Sequence, residues 1–290
     1  MTVMNTRLQP DGNTVRARPL PPAIGLGCSR LGSTLSGCAG PEAVRLLQHA
    51  LDAGVTLFDT ANIYGQGESE RLLGKALRGH RSKVTLVTKA GQRFTTLQRA
   101  ATLVKGPLRQ LAQVVPSLRR KIANRRAGAL PRDYSAAHLR QSIESSLRRL
   151  DTDRIDLFLL HSPSAEAIAQ GEAFAMLNGL RAAGTLGGWG ISVDDEAAAR
   201  AALTVPELAG LQLPLSVAAA LRPELALAAE RGVALFMREL FASGPRDAAS
   251  RQAAVQAALA YPGATALVGT TSIPHLDEAL RFGRASGRPG

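Results

Sequence analysis

Short runs of Val, Ile, Leu and Phe alternate along this chain with longer stretches in which apolar residues return every three or four positions. The first kind of run suits a strand buried on both faces and the second a helix with one apolar stripe, so their alternation predicts βα units around a parallel sheet. Candidate strands lie at 23–28, 55–59, 84–89, 155–161, 188–193, 210–213, 233–237 and 265–269. In the first helical stretch Val44, Leu47 and Leu51 share a stripe with Ala43 and Ala50, while Arg45 and Gln48 fall outside it. The joints support the reading. Gly54, Gly184 and Gly232 each stand between a helical stretch and the next apolar run, where a residue free to adopt the left-handed conformation can end a helix. Units of roughly 36 residues predict a single-domain (β/α)8 TIM barrel over residues 22–285. The open doubly wound alternative would carry GxGxxG after its first strand, and the chain has none there.

Outside that pattern, residues 1–21 read as a flexible leading segment and 286–290 as a short tail. The third unit is interrupted: an insertion of roughly 40 residues, about 93–133, separates its strand from the next helix. Leu108, Leu111, Val114, Val115 and Leu118 predict helical pieces within it, opened at Pro107 and broken at Pro116. Because the insertion follows a strand, a barrel would hold it over the C-terminal mouth, where barrel active sites are built.

Charge changes the picture only locally. The 290 residues carry 35 Lys and Arg against 23 Asp and Glu, a net +12. Ten of the cations (Arg93, Arg99, Lys105, Arg109, Arg119, Arg120, Lys121, Arg125, Arg126 and Arg132) fall within 93–132, which holds no acidic residue. Such a block either solubilises a loop or recruits an anion. Nucleic acid is disfavoured, because Phe94 is the one aromatic among these cations and single strands need stacking platforms. Cys28 and Cys38 form no CxxC and have no ligand-spaced His, so neither a disulfide framework nor a metal site is expected. His49, His80, His138 and His275 are scattered. No apolar run reaches the length of a membrane span and no secretory leader is visible, so the expected location is the cytoplasm, without a membrane partner.

Reactive side chains gather at three strand ends: Asp59 and Tyr64 in LFDTANIYG, Lys89 in LVTKAG and His161 in LFLLHSP. A phenol near pKa 10 is a poor acid at neutral pH unless a cation stabilises its phenolate, and a buried lysine held by a carboxylate supplies one. An imidazole across the pocket can hydrogen-bond a carbonyl oxygen and place it for proton transfer. The chemistry these four suggest is carbonyl reduction, or its reverse, with hydride from a nicotinamide cofactor. GQGESE, by contrast, lacks a P-loop lysine and reads as a turn into the next helix, and Trp189 reads as packing within or beside the barrel.

In FDTANIYGQGESERLLGKAL, KVTLVTKAG and DRIDLFLLHSP the chain resembles the aldo-keto reductases, over roughly residues 22–285. The resemblance implies Tyr64 as general acid, Lys89 tuning it, Asp59 holding Lys89 and His161 orienting the carbonyl. It implies NADPH, with NADH as the less frequent choice, and no metal. Cofactor residues carried over are Ser192 in GGWGISV and Gln212 in GLQLPLS for the nicotinamide amide, and Arg238 in ALFMREL where many members place an aromatic ring. Gly269, Thr270, Thr271, Ser272 and His275 in ALVGTTSIPHLDEAL are similar to the family's phosphate-gripping segment. Two departures stand out: Val193 replaces the Asn that usually follows the Ser, and no Lys or Arg stands ready for a 2′-phosphate. The substrate implied is a small carbonyl compound or alcohol, with an acidic group if the ten cations take part, and Ile63 and Ser162 are expected to help shape its pocket. The family also contains non-catalytic subunits that sense a bound nicotinamide cofactor, which is the alternative reading. Oligomeric state is not legible.

Overall fold

The computed structural model describes residues 22–32, 38–93, 130–242, 244 and 247–285. The eight strands are β1 (Ile24–Gly27), β2 (Leu57–Asp59), β3 (Thr85–Ala90), β4 (Leu157–His161), β5 (Trp189–Ser192), β6 (Gly210–Pro214), β7 (Ala234–Arg238) and β8 (Thr265–Val268). Each pairs in parallel with the next, and β8 pairs with β1 through Ile24↔Ala266, Gly25↔Leu267 and Leu26↔Val268, which closes the barrel. All eight predicted runs are strands of the predicted (β/α)8 barrel. The described helices are α1 (Pro41–Asp52), α2 (Glu68–Ala76), α3 (Ala136–Leu150), α4 (Ala165–Gln170), α5 (Phe174–Ala182), α6 (Glu196–Leu203), α7 (Leu215–Ala218), α8 (Arg222–Glu230), α9 (Ala248–Leu259) and α10 (Ile273–Arg284).

Local chemistry places these boundaries. Gly54, Gly184 and Gly232 adopt φ of 91°, 77° and 85°, the left-handed conformation predicted for the helix-to-strand joints. Ser135, Ser164, Asp195 and Asp247 cap α3, α4, α6 and α9 by accepting the N–H three residues on. In α1 the buried stripe is Ala43, Leu46, Leu47 and Ala50. The predicted Val44 and Leu51 sit only at its margin, because the helix faces the barrel through the row that contains Leu46. Trp189 is fully buried outside the barrel wall, 4.7 Å from Phe174 between ring centroids, with its indole N–H on Asn178 Oδ1 at 2.8 Å.

Alternation along each strand divides the residues between barrel interior and helix layer. Leu57, Val87, Leu157, Leu159, Phe236 and Leu267 form a cluster of their own inside the barrel, separate from the larger core under the helices. Glycines alternate with them. A Cβ on Gly25 would stand 2.6 Å from Leu57 Cδ2, one on Gly210 2.8 Å from Leu157 Cδ2, and one on Gly190 2.0 Å from the Gly210 carbonyl oxygen. Large side chains from some strands thus fill the space left by glycines on others, and any side chain at Gly190 would force β5 and β6 apart.

Of the predicted insertion only its two ends lie within the described residues. Gln92 bridges Arg132 in antiparallel fashion, the Arg93 N–H donates to the Pro131 carbonyl at 2.9 Å, and the Asp133 N–H donates to the Gly91 carbonyl at 2.8 Å. A short neck therefore joins the end of β3 to the approach to α3. Residues 94–129, with Pro107, Pro116 and the predicted apolar stripe, lie outside the described residues, as do 1–21 and 286–290. Among the described residues no helix is long and apolar enough to cross a membrane, and no group of three His, Cys, Asp or Glu could hold a metal ion. Cys28 and Cys38 are both buried and free.

Candidate active site

Two residues beyond the apolar layer, the same inward parity reaches the C-terminal mouth. Leu57 is followed by Asp59, Val87 by Lys89, Leu159 by His161, Phe236 by Arg238 and Leu267 by Gly269, while Gly190 and Gly210 lead to Ser192 and Gln212. Seven of the residues singled out in the sequence are brought to one ring by this step alone. Tyr64 arrives differently, on a turn after β2. The Thr60 N–H donates to the Val87 carbonyl and the Asn62 N–H to the Lys89 carbonyl, so the chain stays pinned to β3 before it turns. Gly65, Gln66 and Gly67 then take φ of 57°, 62° and 86° in succession and lead into α2, as GQGESE predicted. A Cβ at Gly65 would stand 3.0 Å from the Gly32 backbone.

Lys89 is fully buried. Its ammonium donates to both oxygens of Asp59, Oδ1 at 2.6 Å and Oδ2 at 2.8 Å, and to the Thr60 carbonyl at 2.8 Å. Burial works against its charge, but the Asp59 carboxylate more than offsets this and the pKa stands above the ordinary lysine value. Lys89 Nζ lies 5.2 Å from the centroid of the Tyr64 ring. Desolvation raises the Tyr64 phenol while the Lys89 cation pulls it down, with a net rise that keeps the hydroxyl protonated at neutral pH. His161 meets Tyr64 edge to face at 5.9 Å between centroids. Burial, then the charges of Lys89, Arg238 and Arg132, push the His161 pKa down to about 3, so its imidazole is neutral. Its Nδ1 is buried without a hydrogen-bond partner.

A second set of contacts runs across the barrel. Gln212 Nε2 donates to Asp59 Oδ1 at 2.9 Å, and Ser192 Oγ donates to Gln212 Oε1 at 2.9 Å. The carboxylate can only accept, which fixes the amide orientation and makes the serine hydroxyl the donor. Ser192, Gln212, Asp59 and Lys89 therefore form one chain of hydrogen bonds, a connection between cofactor and acid–base candidates that is not visible in the sequence. Val193, standing in place of the usual Asn, turns its side chain into the core, and its carbonyl accepts from Arg238 Nη2 at 2.7 Å. The Arg238 guanidinium also pairs with Asp194 and Glu239. Glu239 is held at φ 59° and Ser162, directly after His161, at φ 57°, two non-glycine residues in the left-handed region at the mouth.

At the end of β8 the Ser272 N–H donates to Thr270 Oγ1 at 3.0 Å, and Ser272 makes no side-chain cap on α10. A Cβ built on Gly269 meets nothing within 4 Å. Open space beside a glycine, hydroxyls at Thr270, Thr271 and Ser272, and an uncapped start to a twelve-residue helix form a donor set that fits phosphate. His275 is exposed in the first turn. Residues the sequence reading missed are Thr60, whose backbone holds Lys89, and Tyr134, whose hydroxyl donates to the His161 carbonyl at 2.7 Å. Tyr134 lies at the end of the insertion just before the α3 cap, a position that carries no signal of its own in the sequence.

The family model for the aldo/keto reductase family matches residues 23–258. Pyridoxal 4-dehydrogenase of Microbacterium luteolum is 31% identical over 238 residues, covering 77% of this chain and 68% of that protein. Aldo-keto reductase AMT2 of Alternaria alternata is 38% identical over 129 residues, 41% of this chain and 31% of its own length. Among solved structures, PA4992 of Pseudomonas aeruginosa, assigned to the aldo-keto reductases, superposes with a TM-score of 0.70 at 27% identity, covering 93% of this chain and 96% of that one. An aldo-keto reductase from Klebsiella pneumoniae in complex with NADPH shares the fold at 22% identity, with a TM-score of 0.64 over 98% of this chain and 90% of that one. A closed parallel barrel with its reactive side chains at the strand ends, and a family match over most of the chain, place it in one class: this protein belongs to the aldo/keto reductase family, a family of oxidoreductases.

Proposed function

We propose that this chain reduces the carbonyl group of a small organic molecule, or oxidises the corresponding alcohol, with NADPH as the hydride source and Tyr64 as the acid. The observation that carries the reading is the buried Asp59–Lys89 pair set beneath the Tyr64 ring. When bound, the cofactor supplies hydride to the carbonyl carbon. The protein supplies the proton: Tyr64 O–H donates to the carbonyl oxygen, and the phenolate that remains is stabilised by the nearby Lys89 charge. Asp59 keeps Lys89 charged and in place. His161, neutral across the working pH range, serves as a hydrogen-bond donor that fixes the oxygen rather than as a second acid.

Cofactor placement in this reading falls to the opposite side of the mouth. With its own proton committed to Gln212, the Ser192 hydroxyl keeps lone pairs that accept from a carboxamide NH2, and Gln212 Nε2 has a second N–H for the carboxamide oxygen. Arg238, held by three acceptors, presents a fixed planar guanidinium to the nicotinamide. Gly269, Thr270, Thr271, Ser272 and His275 hold the phosphates and adenosine end. Support for NADPH comes from the family, and the donor set at α10 supports a phosphate-bearing cofactor.

The substrate in this reading carries an acidic group. Arg132 is exposed at the neck of the insertion and has no carboxylate partner among the described residues, and its charge is felt at His161. Arg93 beside it is paired with Asp133 at 3.3 Å. The test is to titrate the protein with NADPH and NADH by cofactor fluorescence, then add aldehydes and ketones matched with and without a carboxylate. Carbonyl-dependent cofactor oxidation supports the reductase. Binding without turnover on any carbonyl overturns it in favour of a cofactor-sensing subunit, and equal kcat/KM for charged and uncharged substrates at low and high salt removes the acidic group.

A further inference from the structure

His161 poses a problem of orientation. A histidine that must aim one ring nitrogen at a substrate is ordinarily held through the other, by a carboxylate or a carbonyl that fixes tautomer and ring plane. Here Nδ1 is buried with no partner, and among the described residues the ring's aromatic contact is Tyr64, perpendicular to it at 5.9 Å between centroids. The residue that follows, Ser162, sits at φ 57°, and of the peptide that leaves His161 the N–H is held by the Ser192 carbonyl at 2.8 Å, so the carbonyl is the end that needs outside support.

That support comes from Tyr134. Its hydroxyl donates to the His161 carbonyl at 2.7 Å, and burial keeps the phenol protonated and able to donate. Its ring lies over Gly91, two residues past Lys89, so closely that a Cβ there would stand 2.2 Å from Tyr134 Cε1; Gly91 has φ +123°. The Asp133 N–H on the Gly91 carbonyl at 2.8 Å anchors the residue before it, and Asp133 Oδ1 takes the Ser135 hydroxyl at 2.7 Å at the start of α3. Tyr134 thus touches the strand ends that carry Lys89 and His161 and belongs to the neck of the basic insertion.

We propose that Tyr134 is a positioning residue that sets the His161 backbone, and through it the imidazole, from the neck of the insertion. The proposal rests on the reading of His161 as the group that orients the carbonyl. It differs from simple packing in one respect: the ring over Gly91 packs, whereas the hydroxyl on the His161 carbonyl positions.

Tyr134→Phe separates the two, since it keeps the ring and removes the hydrogen bond. Two readouts are taken on the full chain. Cofactor affinity should stay at the wild-type value while kcat falls roughly ten- to a hundredfold, the penalty of a displaced reacting partner. Independently of turnover, the His161 C2 proton, assigned by its loss in His161→Gln, should titrate near the low wild-type value and move up toward about 6.5 in Tyr134→Phe as the ring loosens toward solvent. Lys89, Arg238, Arg132 and the Tyr64 ring, the groups that face the imidazole, are unchanged by the substitution. An unmoved titration together with wild-type kcat would overturn the proposal, and each measurement is made below the variant's own melting temperature. Tyr64→Phe run alongside keeps the readings apart: its inactivity with an unaffected Tyr134→Phe sinks only the role of Tyr134, while its full activity sinks the assignment of the site itself.

Discussion

Gln212 donates to the same oxygen of Asp59 that receives the shortest hydrogen bond from Lys89, 2.9 Å from the amide and 2.6 Å from the ammonium. One carboxylate therefore answers to β3 and to β6, on distant parts of the barrel wall, and Ser192 on β5 is tied in through Gln212. Replacing Gln212 by Leu removes a donor from a buried carboxylate and an acceptor from a buried hydroxyl. The expected cost is about 1–3 kcal/mol of stability, with weaker NADPH binding under the proposed assignment. Denaturant unfolding and cofactor titration check it, and an unchanged unfolding midpoint would mean that the Gln212–Asp59 bond contributes nothing.

The Asp59–Lys89 pair is a buried, hydrogen-bonded ion pair, the case in which removing one partner does most harm. Lys89→Met leaves the carboxylate uncompensated and should destabilise the fold by about 3–5 kcal/mol as well as abolish turnover. Asp59→Asn combined with Lys89→Met should recover part of the stability and none of the activity. A double-mutant cycle by chemical denaturation measures the coupling, and additive losses would show that the two groups do not act as a pair.

Tyr64→Phe deletes one hydroxyl and leaves the ring against His161. Turnover should fall by about 10²- to 10⁴-fold, the range of general acid catalysis, with cofactor affinity intact. Steady-state kinetics with a reactive aldehyde and a fluorescence titration decide it. Turnover at the wild-type rate would reject Tyr64 as the acid.

Stability should depend on pH through His161. In the folded protein burial and nearby cations hold its pKa down to about 3, whereas in the unfolded chain it protonates near 6.5. Below that pH the unfolded state binds a proton that the folded state refuses, so stability is lost as pH falls from about 6.5 toward 3. The contribution at pH 5 is about 2 kcal/mol and near zero at pH 7.5. His161→Gln lacks it, so the variant should gain on the wild type by about that amount between pH 7.5 and pH 5 in urea melts. A constant difference between the two curves would mean that His161 titrates normally in the fold.

A second ion pair, between the buried Glu70 and the partly exposed Arg149, lies behind the site and bears on strand placement. Glu70 of α2 is fully buried, accepts from Thr88 Oγ1 at 2.7 Å and from Arg149 Nε of α3 at 2.6 Å, and so fixes the outward face of β3 one residue before Lys89. Glu70→Ala should cost about 1–3 kcal/mol, chiefly by leaving the buried Thr88 hydroxyl without its acceptor, since Arg149 can turn to solvent. Thermal unfolding beside Arg149→Ala tests it, and a loss below about 1 kcal/mol would place the pair among exposed, weak ones.

Much of this molecule was legible before folding was considered. Strand positions, the glycine joints and the barrel follow from short apolar runs, helix-period stripes and the glycines between them, which neighbouring residues write into the chain. The strand-end positions of Asp59, Lys89 and His161 follow too, while Ser192, Gln212 and Arg238 were legible only through the resemblance, and their shared inward parity came with the barrel. What needed the tertiary structure were contacts that only barrel closure creates: Gln212 reaching Asp59, the Val193 carbonyl taking Arg238 while its side chain turns away, and Glu70 meeting Arg149. Tyr134 belongs with these. No local pattern distinguishes a tyrosine before a helix cap from any other, and its meaning depends on the neck that brings residues 91 and 133 together across the insertion. Periodicity is a property of a few residues in sequence, whereas these hydrogen bonds join residues far apart in the chain and exist only once the strands have closed in one register.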